Sequence, residues 1–154
     1  MQNLPPDISK SLKYALLCGF NSTVTKSHVA NTNLDDFSFA TQIIVWEIQQ
    51  QLRTGYNKGD LKANKWGTSA TVYYEQLKGR PAEKCYEYIL NKMKAYSIVP
   101  SFTKPNKAKA PTYTMKYNSS TKKYSITLPD SNKSNMPASA FNISGVTVTK
   151  LSLI

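Results

Sequence analysis

Thr103-Lys-Pro-Asn-Lys-Ala-Lys-Ala-Pro111 divides the sequence into two regimes. Its prolines break helix and central strand alike, and its lysines favour solvent, so it reads as a linker. N-terminal to it, apolar residues recur at helical spacing; C-terminal to it, they alternate with a period of two. Helices first and antiparallel strands second make an α+β chain, an N-terminal helical subdomain followed by an antiparallel β subdomain. The expected boundaries are 1–102 for the helical part, 103–111 for the Lys/Pro linker and 112–154 for the β part.

On the β side, Thr112–Tyr117 and Lys122–Leu128 flank Asn-Ser-Ser-Thr, which predicts a hairpin. Tyr113, Met115 and Tyr117 alternate on one strand, and Tyr124, Ile126 and Leu128 answer them on the other. Pro129-Asp-Ser-Asn-Lys133 turns the chain into two further expected strands, 139–143 and 146–153, with Val146 and Val148 lining one face. The sequence stops within that strand pattern and starts without an obvious leader, so it reads as a piece of a longer protein.

On the helical side, Asp7 is the expected N-cap of a first helix carrying Ile8, Leu12, Ala15 and Leu16 and ending at Gly19. Residues 21–34 are rich in Ser, Thr and Asn and predict a long surface loop. A central helix is expected from about Ser38 to Arg53, with Asp35 and Asp36 just before it. Its segment Phe39-Ala-Thr-Gln-Ile-Ile-Val-Trp-Glu-Ile48 is the most apolar in the chain, and Gln42 would fall in its first turn. There, unpaired N–H groups and the helix dipole stabilise an oxyanion forming on the amide carbonyl. A third helical zone spans about 70–77. Pro81 opens a fourth to about residue 96, with Cys85, Ile89, Met93 and Tyr96 on one face beside Tyr86 and Leu90; this stripe favours a buried structural thiol at Cys85.

The chain has 154 residues and a formal charge of +11. Residues 91–154 hold ten lysines and one acid, Asp130, whereas residues 1–90 hold ten Lys/Arg and eight acids. Arginine is confined to Arg53 and Arg80 and the lysines are dispersed, which argues against a nucleic-acid partner. No apolar run is long enough for a membrane span. His28 stands alone, without a Cys or carboxylate at ligand spacing, so neither a metal site nor a catalytic triad is encoded. No phosphate loop or dinucleotide fingerprint is present. The inventory implies no cofactor and argues against a conventional enzyme.

Ala40-Thr41-Gln42-Ile-Ile-Val45-Trp46 resembles the Ala-Thr-Gln-x-Ala-Ile-Trp helix start of the Cys–Gln thioester domains (TQxA-type) of Gram-positive surface adhesins, with Ile44 where alanine is usual. Leu16-Leu-Cys-Gly-Phe-Asn21 resembles the Gly-Tyr-Pro-Asn segment upstream of that helix. Ile98-Val-Pro-Ser-Phe102 and the 113–127 hairpin resemble the family's downstream half. The likeness covers most of the chain at low stringency, and the Thr-Gln-x-x-x-Trp element is its specific part.

The resemblance implies a defined chemistry. A cysteine thiolate displaces ammonia from the Gln42 carboxamide to form an internal thioester. A lysine amine on a host surface or matrix protein then attacks it, which anchors the bacterium covalently. Thr41 and Trp46 would support the reactive helix start, and Phe39, Ile43 and Trp46 would shield the ester from water. The implied protein is an extracellular, cell-wall-associated domain, monomeric, with no cofactor or metal. The family's cysteine lies on an early strand that this sequence does not contain. Three sources of the thiol therefore stay open: Cys18 in Leu17-Cys18, Cys85, and a cysteine on a preceding N-terminal part. A second function class also stays open, a non-covalent binding module of the same fold in which Gln42 is purely structural.

Overall fold

The computed structural model describes residues 6–103, 112–134 and 136. Three helices precede a small antiparallel sheet, an α+β arrangement with the helices on the N-terminal side: α1 (Pro6–Cys18), α2 (Leu34–Gln49), α3 (Pro81–Ser97), β1 (Lys116–Asn118) and β2 (Lys123–Ser125). The chain divides into two compact units, Met1–Ser97 and Ile98–Ile154.

In the first unit α1, α2 and α3 pack pairwise around one buried cluster. It includes Ala15 of α1, Phe37, Ile43, Ile44 and Ile48 of α2, and Cys85, Tyr86, Ile89, Leu90 and Met93 of α3. The expected α3 stripe is therefore buried, with Tyr96 half-buried at its end. Each side chain of Leu, Ile or Phe size removed from water contributes roughly 1.5–3 kcal/mol, and such faces are what hold helices of this length together.

Three helix boundaries differ from the sequence expectation. Asp7 lies inside the first turn of α1 rather than at its N-cap, because the helix starts at Pro6. Leu16 and Leu17 are exposed, so the buried stripe of α1 is narrower than its apolar spacing suggests. Most consequentially, α2 begins at Leu34 instead of near Ser38. Asn33 is its N-cap: its side chain accepts from Asp36 N at 2.8 Å, and the Asp36 carboxylate accepts from Asn33 N at 3.0 Å. This reciprocal capping box draws Asp35 and Asp36 into the first turn, where their charges oppose the helix dipole favourably.

The end of α2 is also earlier than Arg53. Gln51 adopts a left-handed conformation (φ 57°), and the chain turns back so that Leu52 N donates to Glu47 O at 2.8 Å. Residues 70–77 form turns and a short 3-10 segment, Tyr74–Gln76, instead of a third full helix. Gly79, at φ +76°, then leads into α3, and Glu83 in the first turn accepts from Gly79 N at 2.8 Å.

In the second unit, Asp130 organises the turn after the hairpin. Its Oδ1 accepts from Ser101 N at 2.8 Å and Asn132 N at 3.0 Å, and its Oδ2 accepts from Ser134 N at 2.7 Å. These donors hold its carboxyl below the usual carboxylate range. The hairpin pairs Tyr117 with Tyr124 over a ladder of three residues a side; Asn118, expected in the turn, belongs to β1, and Lys122, expected in the second strand, belongs to the turn. Most of the Lys/Pro linker and the expected strands 139–143 and 146–153 lie outside the described residues.

Candidate functional site

Gln42 and Trp46 are four residues apart on α2, which places them on one face. That face is the solvent side: Gln42, Trp46 and Gln49 are exposed, whereas Phe37, Ala40, Thr41, Ile44 and Ile48 face the core. With α2 starting at Leu34, Gln42 stands in the third turn. The helix N-terminal N–H groups are thus more than a turn away, and the expected first-turn oxyanion setting is not present. The expected shield differs as well. Ile43 is fully buried and Phe39 half-buried, but Trp46 is 37% exposed and packs its ring on Tyr73, with centroids 5.5 Å apart and planes tilted by 43°.

Thr41 is buried and fully engaged. Its hydroxyl donates to Phe37 O at 2.8 Å and accepts from Phe20 N at 2.8 Å, which fastens the end of α1 to the middle of α2. Gly19 permits this approach: a Cβ there would lie 2.6 Å from Thr41 Oγ1 and 2.7 Å from Ala15 O. The sequence suggested a helix-capping role for Gly19, and its N–H does donate to Ala15 O at 2.8 Å. The residue is small chiefly because two helices meet on it.

Cys18 sits just before this junction, half-buried and packed against the core cluster. Burial pushes its thiol up to about 11, and the charge of Lys92 on α3 offsets only part of that. The thiol is therefore protonated at neutral pH, the opposite of an activated nucleophile. Cys85 is fully buried, its Sγ 3.7 Å from Ser27 Oγ. Both thiols are free. The structure thus brings Thr41 and the Cys18–Phe20 segment together, while Gln42 faces solvent and the two thiols pack into or against the core.

Sequence reasoning passed over a second constellation. Glu47 is fully buried on α2, where Arg53 Nε donates to it at 2.8 Å and the Tyr86 hydroxyl lies 2.9 and 3.0 Å from its two oxygens. Arg53 also donates to Tyr86 Oη, to Gly55 O and to Asn57 O. Burial pushes the Glu47 carboxyl up, against the pull of Arg53 and Tyr86. The one acid of the apolar segment Phe39–Ile48, followed by one of only two arginines, is the available signal. Arg53 also lines a cavity of about 400 Å³ with Asp7, Lys10, Ser11, Ile48 and Tyr56, which none of Gln42, Thr41, Trp46 or Cys18 reaches.

Among the described residues, no three His, Cys, Asp or Glu side chains gather as a metal site requires. Among them, too, no helix is long and apolar enough to cross a membrane. Compared with protein-family models, with curated proteins and with solved structures, the chain has no match.

Proposed function

We propose that the chain is part of a thioester-forming adhesin domain of a Gram-positive cell surface, with Gln42 as acyl donor. The observation that carries this reading is the outward presentation of Gln42 and Trp46 on a helix held from its opposite face. An acyl group destined for a macromolecular amine has to be reachable, and Gln42 is. The Thr41–Phe20 bond fixes the register of that helix against α1 without involving the Gln42 carboxamide.

The attacking thiol in this proposal approaches the solvent face of α2 and belongs to a segment that precedes this sequence in the longer protein. Cys18 is the weaker source because it packs against the core and stays protonated. In the forming step, thiolate sulfur attacks the Gln42 side-chain carbonyl carbon, the C–N bond breaks, and nitrogen leaves as ammonia after taking a proton. In the anchoring step, the neutral amine of a lysine on a host protein attacks the same carbon. The C–S bond breaks, the departing sulfur takes up the proton that the amine nitrogen loses and leaves as a thiol, and an amide remains. No cofactor or metal enters either step, and the domain is spent rather than turned over, so it is not an enzyme.

Intact mass tests the proposal. The longer natural protein should be about 17 Da lighter than its sequence and should regain that mass when Gln42 is replaced by Glu, corrected for the substitution. A full sequence mass with all thiols open to alkylation would remove the covalent reading.

The exposed Trp46 ring, packed on a half-buried Tyr73, together with a protonated Cys18, favours a second reading for the chain taken by itself: a non-covalent binding module with Gln42 as an ordinary surface residue. Partner binding that survives both Gln42→Ala and Cys18→Ala would establish it.

A further inference from the structure

We infer that Trp46 and Tyr73 form a docking platform for a lysine side chain, one helical turn from Gln42. The aromatic rings of the helical unit are repeatedly used as seats for cations. Lys10 stands 5.8 Å from the Tyr14 ring, Arg53 5.4 Å from Tyr86, Lys58 5.3 Å from Tyr74, Lys65 4.9 Å from Trp66, and Lys92 5.6 Å from Tyr88. Among the described residues, no cation stands over Trp46 or Tyr73, although Trp46 is more than a third exposed. An indole face is the strongest of the aromatic seats for an ammonium, and a second ring tilted against it widens the negative surface offered.

Charge and shape call for a cation on an apolar stem, and between lysine and arginine the thioester reading, which needs an amine, selects lysine. The face of a π-system attracts a cation and repels an anion, which excludes carboxylate and phosphate groups. The flat apolar rings also suit the methylene stem of lysine, which buries against such surfaces while its head stays wet. The i, i+4 spacing puts the Cβ atoms of Gln42 and Trp46 about 5–6 Å apart, within the length of one lysine stem. A lysine held on the platform therefore has its nitrogen in the neighbourhood of the Gln42 side chain. It binds as the ammonium and must give its proton to solvent before any attack on an acyl carbon.

As a specificity device for acyl transfer the platform rests on the thioester reading; as a cation site it does not. The experiment separates the two by using the full chain carrying Gln42→Ala, which cannot be acylated at that position. The probes are Nα-acetyl-lysine methylamide and its uncharged counterpart, Nα-acetyl-norleucine methylamide. The readout is the indole N–H signal of Trp46 in the nuclear magnetic resonance spectrum. Trp66, 59% exposed but with the Lys65 ammonium already 4.9 Å from its ring, is the internal control. The lysine probe should shift Trp46 saturably and leave Trp66 in place, and the norleucine probe should shift neither. Trp46→Leu, followed on the Tyr73 ring signals, should weaken lysine binding about two- to fivefold, and Trp46→Phe should recover most of it. Equal shifts from both probes, or parallel shifts of both indoles, would overturn the platform. Lysine binding at Trp46 in a longer protein of full sequence mass would leave the platform standing and remove the thioester reading.

Discussion

The inner face of α2 carries Phe37, Thr41, Ile44, Glu47 and Ile48, all buried; the outer face carries Gln42, Trp46 and Gln49, all exposed. Both faces hold polar groups, but their use differs. Inside, Thr41 and Glu47 spend their hydrogen-bonding capacity within the chain, on Phe20, Phe37, Arg53 and Tyr86. Outside, an amide and an indole are presented to solvent on the same rigid support. One helix thus separates the residues that hold the fold from those available for recognition. Substitutions on the two faces should fail in different ways.

The largest effect is expected from Arg53→Ala. It leaves the Glu47 carboxylate buried, with Tyr86 as its remaining side-chain partner, and strips donors from Gly55 O and Asn57 O. Removing one partner of a buried pair costs about 3–5 kcal/mol, because the other charge stays desolvated. Urea unfolding should move by that amount. The double replacement Glu47→Leu with Arg53→Met should recover much of the loss, since it removes both charges together. A single variant as stable as the parent would mean that Glu47 is already neutral.

The α1–α2 junction comes next. Thr41→Val keeps the shape but leaves Phe20 N without its acceptor, a loss of about 1–3 kcal/mol. Gly19→Ala forces a Cβ into Thr41 and the Ala15 carbonyl, and overpacking of that kind costs about 1–3 kcal/mol. The two residues touch, so the double variant should cost less than the sum of the singles. Strict additivity would show that the junction does not couple them.

How far these features were legible in the sequence follows the same division. The α3 stripe could be read because its spacing is local and Pro81 marks its start. The common face of Gln42 and Trp46 could be read from their spacing. Which way that face points could not, since the run Ile43–Trp46 is apolar all round and only packing decides which residues are left outside. The sequence places the start of α2 four residues late because acids are favoured both just before a helix and within its first turn. Asn33, which settles the matter, looked like one more residue of a polar loop. The Glu47–Arg53–Tyr86 set was out of reach because it needs the left-handed turn at Gln51 and a tyrosine 39 residues away on another helix.

A smaller, pH-dependent effect is expected at Glu83. Lys58, the Tyr74 hydroxyl and the Gly79 N–H hold its carboxyl down at about 2. A carboxyl lowered on folding stabilises the fold above its unfolded value and loses that contribution as pH falls towards the folded value. Because Lys58 is 41% exposed and Glu83 21% exposed, solvent screening keeps the contribution near 1 kcal/mol. Glu83→Gln should therefore destabilise by about that much at pH 7, and the difference should fade between about pH 5 and pH 2. A gap that stayed constant across that range would assign the effect to shape rather than charge.

The smallest effect on stability is expected on the outer face. Gln42→Ala removes an exposed side chain from the interior of a helix and puts the best helix former in its place. The change should stay within about 0.5 kcal/mol of the parent. This near-silence is what gives the variant its value. If Gln42 is an acyl donor, the same substitution leaves the urea midpoint of the 154-residue chain in place and, in the longer protein, abolishes the mass deficit and every covalent amine adduct. If Gln42→Ala instead costs as much as Thr41→Val, then Gln42 belongs with the inner face and holds something in place. The contrast between the two sides of α2 would then collapse. Measuring the urea midpoint on the 154-residue chain and the intact mass on the longer protein decides between these outcomes, because the first quantity reports on the inner face and the second on the outer.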